Sequence, residues 1–245
     1  MLERKMVPIE QIRQFGIFQD LDDGLLEEIR RNAWVKSLAP DEVLFRQNDP
    51  IRRSYFCISG QLKLFRLTHA GSEKIFRIAS SGDDLHDSIS LRNGRRYPLS
   101  CTAIMPSEML SLDPEFIADI FHGSRDARTR LVESLEQHID ELVDHAEVLS
   151  VDKAGFRVAS FLLSEYRRNG SRSSFRLDSS KKYIASYLSL QPETLSRCLG
   201  HLRQDGIVSS VNRDIEIHDP DALEKLVSGL DTAASSAVTT SAAAH

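Results

Sequence analysis

The feature that most constrains this chain is a change of hydrophobic period, made twice. The opening residues IEQIRQFGIFQDLDDGLLEEIRRNA carry apolar side chains at helical spacing, at Ile12, Phe15, Ile17, Phe18, Leu21, Leu25, Leu26 and Ile29. The pattern breaks near Gly16, so two short helices are expected. From Trp34 to about Leu112 the period is that of strands. WVKSL, EVLFRQ, SYFCISG, QLKLFRLT, KIFRIA, LSCTAI and EMLSL are short and rich in apolar residues, with turn-like APD, NDP, SG, HAGSE, SSGDD and MPS between them. After Asp113-Pro114 helical spacing returns in EFIADIFH. Short strands repeated at this interval close into a sandwich or small barrel, so the fold class is α+β.

The chain has the material for such a core: 41% of its 245 residues are hydrophobic and 27% charged, the balance of a globular protein. No apolar run approaches the ~18 residues of a spanning helix. The first residues, MLERKMVPIEQIRQ, lack the apolar centre of a signal peptide, so a cytoplasmic location without a membrane partner is expected.

A second pattern runs from about Asp126 to Leu149, the longest uninterrupted helical stretch. Val132, Leu135, Ile139, Leu142, Ala146 and Leu149 are spaced 3, 4, 3, 4, 3, an a/d heptad seam. A helix buried in its own domain usually carries a wider stripe. The seam therefore points to a parallel homodimer coil; the competing reading packs the same helix onto the chain's own β-domain.

Charge is unevenly distributed. Residues 1–150 hold 19 Lys+Arg against 25 Asp+Glu, a net −6, whereas residues 151–218 hold 11 against 7, a net +4. A polyanion partner fits only the later segment. There KAGFRVASFLLSEYRR reads as a helix, NGSRSS as a turn and SFRLD as a short strand. SSKKYIASYLSL and QPETLSRCLGHLRQ follow as two helices, the second started by Pro192 and stopped at Asp205-Gly206. IVSSV and DIEIH then alternate around Asn212-Arg213 as a β-hairpin.

Two helices joined by a tight turn and followed by a two-stranded wing make a winged helix-turn-helix, whose second helix enters the major groove of double-stranded DNA. Glu193, Ser196 and Arg197 share one face at i, i+3, i+4 while Leu195, Leu199 and Leu202 share the other. Arg197 can donate two parallel hydrogen bonds to guanine, Glu193 can accept from a base amino group, and Ser196 is small enough to approach a base edge. Gln191 and Thr194 flank them, and Lys181, Lys182 and Arg213 are placed to meet phosphates. Taken alone, such a face also suits a helix that merely meets water. The other competing readings are a β-roll regulatory module of an enzyme and a winged helix that binds proteins. The chain has no P-loop, GxSxG or HExxH motif and no nucleophile with an evident base, so no enzyme is expected.

This order of elements resembles the CRP/FNR family of bacterial transcription regulators over about residues 10–227. FRQNDPIRRSYFCISGQLKLFRLTHAGSEKIFRIASSGD resembles that family's effector-binding β-roll, and LSLQPETLSRCLGHLRQDGIV its recognition region, most similar to the Dnr type, associated with denitrification and nitric oxide. The resemblance implies three segments. A jelly-roll-like double-stranded β-roll sensor with N-terminal helices occupies 1–125, and a dimerisation helix 126–150. A winged helix-turn-helix occupies 151–228. The remaining residues, 229–245, are small, polar and without a period, so a flexible tail is expected there. The resemblance further implies a regulator that works with RNA polymerase, an activator or a repressor according to where its site lies in a promoter. The Glu-x-x-Ser-Arg pattern on Glu193, Ser196 and Arg197 implies TTGAT-like half-sites in an inverted repeat. Pro192 stands where CRP-like readers typically carry arginine.

For the effector the resemblance implies a small molecule or gas at the roll. Cyclic-AMP-binding relatives carry Gly-Glu-Leu and a later Arg-Ser pair. Here LHDSISL offers Asp87 for the glutamate, and no Arg-Ser pair follows, so cyclic AMP is not expected. Iron–sulfur members use four cysteines, whereas Cys57, Cys101 and Cys198 stand far apart with none before Cys57, so no cluster is expected. The residues themselves read as small apolar side chains. Dnr-type relatives imply haem with nitric oxide or another diatomic gas. The candidate axial ligand is His86, in the loop where the pocket belongs; an ordinary loop histidine is the competing reading. His138 and His145 lie beside the seam.

Overall fold

The computed structural model describes residues 2–68, 71–85, 95–151, 153–177 and 179–228. Packing divides the chain into two compact units, Met1–Glu141 and Leu142–His245, with the boundary inside the longest helix.

The first unit opens with a two-residue strand β1 (Leu2–Glu3), helix α1 (Ile9–Arg13), a 3₁₀ turn (Gly16–Phe18) and helix α2 (Asp23–Asn32). The Asp22 carboxylate caps α2 by accepting from the Leu25 amide at 2.9 Å. Seven strands follow: β2 (Trp34–Leu38), β3 (Val43–Phe45), β4 (Ser54–Ser59), β5 (Gln61–Leu67), β6 (Glu73–Ser80), β7 (Ser100–Ala103) and β8 (Ser107–Leu112). With β1 they form two four-stranded antiparallel sheets, ordered β1-β2-β8-β4 and β3-β7-β5-β6. Two stacked sheets are what the strand spacing predicts, and the β-roll is what the family resemblance implies. The pairing of β1 with β2, which extends the first sheet, was not signalled by two isolated residues.

Period-2 alternation explains how the layers stack. In β4, Tyr55 and Cys57 face the core between the sheets with Leu62, Leu64, Cys101 and Met109. Phe56 faces the other way, with Leu110 of β8, into a second core completed by Phe15, Phe18, Leu26, Ile29, Ile117 and Phe121 from the helical segments that cover the sheet. A strand with both faces covered reads as a continuous apolar run, as SYFCIS does. The β4–β5 turn requires Gly60, whose φ is +94° and where a Cβ would collide with the Ser107 hydroxyl.

Helix α3 (Pro114–Gly123) is capped by Asp113, and α4 runs unbroken over Arg125–Ser150, about 39 Å at 1.5 Å per residue. Ala127 and Leu131 bury one side of its first turns in the helical core. Val132, Leu135, Ile139 and Leu142 instead lie open, Ile139 being 57% exposed. Of the heptad positions Ala146 is also exposed and Leu149 half-buried, while Val143 adds an apolar side chain outside the predicted seam.

The second unit contains α5 (Ala154–Arg168), β9 (Ser174–Arg176), α6 (Lys181–Tyr187), α7 (Pro192–Gln204), β10 (Val208–Val211) and β11 (Asp214–Ile217). One apolar core joins them through Val158, Leu162, Ile184, Leu195, Leu199, Leu202 and Ile215. Among the described residues no helix is long and apolar enough to cross a membrane.

Candidate nucleic-acid interface

The arrangement of α6 and α7 follows from four residues between them. Leu188 caps the C-terminus of α6, and Ser189 adopts the left-handed conformation, φ +53°. The Leu190 amide then donates back to the Ala185 carbonyl at 2.8 Å, satisfying an otherwise unpaired carbonyl at the helix end. Pro192 occupies the first turn of α7, where its missing N–H costs nothing, and the Leu195 amide closes on the Gln191 carbonyl at 3.1 Å. Beyond α7, Gly206 at φ +71° reverses the chain into β10.

Leu195, Leu199 and Leu202 are buried on the inner side of α7, and this fixes the rotation of the helix about its axis. Gln191, Glu193, Ser196 and Arg197 consequently lie exposed, and Thr194 is half-buried at the margin. The Gln191 side chain makes no capping bond. Among the described residues Glu193, Ser196 and Arg197 form no side-chain hydrogen bond or ion pair with the rest of the chain. Burial raises the Cys198 thiol above its ordinary pKa, and the neighbouring Arg197 guanidinium pulls it the other way.

Lys182 is exposed and Lys181 half-buried at the start of α6. Arg213 lies exposed in the turn between β10 and β11, after Asn212 at φ +56° and beside Val211, which is 70% exposed. The wing carries one strand more than the sequence suggests. SFRLD supplies β9, which pairs with β11 on the side away from β10, making the sheet β10-β11-β9. Local patterning marks a strand without naming its partner.

Two family models match: a Crp-like helix-turn-helix domain over residues 156–226 and a cyclic nucleotide-binding domain over residues 35–124. The transcriptional activator protein anr of Pseudomonas aeruginosa is 30% identical, over 84% of this chain and 84% of its own length. This chain belongs to the CRP/FNR family. The fumarate and nitrate reduction regulatory protein of Escherichia coli K12 is 27% identical over 78% of this chain and 77% of its own. The solved structure of FixK2 from Bradyrhizobium japonicum superposes with a TM-score of 0.71, at 24% identity, over 79% of this chain and 96% of that one. As a CRP/FNR regulator the chain is a DNA-binding transcription regulator with an effector-binding domain, and not an enzyme.

In the effector half the structure shows a residue that sequence reading missed. Asp84, two residues before His86 in the sequence, is 6% exposed and bridges to Phe56 of β4. Burial pushes its carboxyl up to about 7, against the lesser pull of Arg77 and of a hydrogen bond from the Ile17 amide; Asp83 pushes the same way as burial. The other oxygen, Oδ1, has no hydrogen-bond partner among the described residues. SSGDDL reads as a polar turn, and nothing local marks one of its two aspartates as interior.

The predicted axial ligand His86 lies outside the described residues, as does Asp87. His138 lies 3.8 Å from Glu141 on its own helix, and His145 stacks on Tyr187 in the second unit. Cys57 and Cys101 are fully buried in the roll, the Cys57 thiol pushed up to about 12 by burial, and Cys198 lies in the reading unit.

Proposed function

We propose that this regulator acts as a homodimer, paired through α4, that reads an inverted repeat of TTGAT-like half-sites with Glu193, Ser196 and Arg197. The observation that carries this reading is the pair of unmet faces on one chain. A polar triad stands exposed on α7, and an apolar seam at heptad spacing stands exposed on α4. The seam loses contact with water if a second α4 lies against it in parallel, and each fully buried Val, Leu or Ile then contributes about 1.5–3 kcal/mol. Two-fold pairing brings two copies of α7 to one side of a duplex, about one helical turn apart. Gln191 and Thr194 would border the base contacts, and Lys181, Lys182 and Arg213 would meet phosphates.

The test is selection of bound duplexes from a random pool by the full chain. Recovery of an inverted repeat supports the reading; recovery of a single half-site or of no consensus overturns it.

For the effector, we propose haem with nitric oxide or another diatomic gas, with His86 as axial ligand. It rests on the Dnr-type resemblance, as do a role in denitrification, activation and contact with RNA polymerase. Haem would supply an iron that binds the gas. Control then requires the effector to bind the DNA-competent dimer more tightly than the incompetent one. Anaerobic reconstitution tests it: a Soret band that shifts with nitric oxide and is lost in His86→Ala supports the reading, and absence of the band rejects it.

A further inference from the structure

The guanidinium of Arg157, on α5, stands between the ends of two helices. Its Nε donates to the Val151 carbonyl at 2.9 Å and its Nη2 to the Leu149 carbonyl at 3.1 Å. Its Nη1 is shared between the Leu188 and Ser189 carbonyls at 3.3 and 3.5 Å. The first pair belongs to the end of α4. The second belongs to the end of α6 and the turn that aims α7. Carbonyls at a helix C-terminus lack amide partners and carry the negative end of the helix dipole, so both ends favour a cation. A planar fork of five N–H donors can serve both at once, which a lysine ammonium, a compact point charge, cannot do in the same geometry.

A second tie joins the same elements independently. The ring of His145, on α4, stacks on that of Tyr187, the last residue of α6, with centroids 4.2 Å apart and planes 16° from parallel. Phe161 of α5 meets Tyr187 edge-on at 6.3 Å. Packing agrees with both ties, because the chain divides between Glu141 and Leu142, leaving the last turns of α4 with the reading unit.

We propose that Arg157, helped by the His145–Tyr187 stack, latches the last two turns of α4 to the helix-turn-helix, and so acts as a positioning residue for half-site spacing. The proposal rests on the paired-reader reading above. In a paired molecule the seam fixes the two copies of α4, and the latch fixes each α7 to its own copy. The distance and rotation between the two reading helices are then set by the protein. Inserting one base pair between half-sites moves one of them by about 3.4 Å and turns it about the duplex axis. A latched pair loses contacts on such a site, whereas an unlatched reading unit swivels to follow it.

The experiment uses the full chain and the inverted repeat recovered by selection, with spacers of the selected length and one base pair longer or shorter. Affinities are read by fluorescence anisotropy for the wild type, Arg157→Ala and His145→Ala. Wild type is expected to prefer the selected spacer by about 100-fold, and Arg157→Ala to reduce that preference roughly tenfold, as expected for loss of charge-assisted hydrogen bonds. Base preference within each half-site stays unchanged. His145→Ala is expected to shift the preference the same way by a smaller factor, and it decides the matter if Arg157→Ala fails to fold. An Arg157→Ala protein that weakens on all three spacers equally would assign the residue a merely structural role and overturn the latch. A wild type that binds the selected repeat without spacing preference would overturn it too, while leaving the paired-reader reading in place. Recovery of no repeat at all would remove that reading first.

Discussion

The two halves of the molecule invert each other. In the reading unit the core is apolar almost throughout, with Ser179 its one buried polar residue among those described, and the polar side chains of α7 face outward. The first unit buries Ser54, Gln61, Lys63, Ser80, Asp84, Thr102, Ser107 and Ser111, and exposes Val132, Leu135 and Ile139 along α4. Most of those buried groups are partnered: Lys63 pairs with Glu73, and Gln61 donates to the Ser80 hydroxyl at 3.2 Å. Asp84 keeps one oxygen unmatched. A unit with a dry core and a wet face is a finished scaffold that presents a surface. The other unit leaves Asp84 Oδ1 unmatched among the described residues of its interior and an apolar stripe bare along α4, the face through which pairing is proposed.

The largest effect is expected where the exposed apolar seam is given the character of α7. Ile139→Asp places a carboxylate at the centre of each facing helix, and two unpaired charges taken out of water cost several kcal/mol each. The dimer is expected to weaken by about 5 kcal/mol or more, over a thousandfold in its dissociation constant, with the monomer still folded. Sedimentation equilibrium measures this. An unchanged dimer would mean that the seam is not the interface, and the contrast between the halves would lose its meaning at the surface.

The next effect lies in the interior. Asp84 has a folded pKa of about 7 against an ordinary 3.8, so between those values the folded protein holds a proton that the unfolded chain has released. Stability is therefore full at the acid end of that window, falls as pH rises through it, and levels off above about 7. Asp84→Asn removes this slope and is expected to be more stable than wild type above pH 7 by roughly 2–4 kcal/mol, from 1.36 kcal/mol per pKa unit. Chemical denaturation at pH 5 and pH 8 distinguishes the outcomes. Equal gains at both would place the ionised carboxylate outside the core.

These two sites also mark where the sequence is informative. The long helix α4 was legible because its apolar spacing is a local pattern, and Val132, Leu135, Ile139 and Leu142 stand exposed on it; their pairing remains a proposal. Helix α7 was legible because Pro192, the Leu195–Leu199–Leu202 stripe and Gly206 fix its start, its rotation and its end within fifteen residues. Asp84 was not legible, since its burial comes from Phe56 and the 3₁₀ turn at Ile17, far away in the chain. Arg157 was hidden for the same reason. In KAGFRVASFLLSEYRR it is one more cation on a helix, and only the tertiary fold brings two helix ends to it. Period and punctuation report elements and faces; they do not report what a polar side chain meets across the fold.

On the reading face, Arg197→Ala is expected to lower affinity for the selected repeat by roughly 1–3 kcal/mol and to relax preference at one base position, leaving the dimer intact. Equal weakening on all sequences would make Arg197 a phosphate contact instead. A base reader and a phosphate contact separate in this way because a guanidinium over a guanine edge discriminates among bases, whereas one over the backbone does not.

The smallest effect sharpens the comparison within α6 and α7 themselves. Lys182 is exposed at the start of α6, outside the polar triad, and its proposed role is purely electrostatic. Each phosphate a cation neutralises releases condensed counterion, so log K falls with log salt by about 0.9 per contact on duplex DNA. Lys182→Ala in both protomers removes two such contacts per dimer, and the slope should become shallower by about 2. Affinity at moderate salt should fall for every sequence alike, with the selected consensus unchanged. A salt titration on the consensus and on a scrambled duplex reads both quantities together. If the slope holds while the consensus shifts, Lys182 touches a base, and the division of labour between the start of α6 and the face of α7 would have to be redrawn. An unchanged slope and an unchanged consensus would leave Lys182 in solvent. The +4 charge of residues 151–218 would then act as a diffuse field rather than through fixed contacts at this helix end.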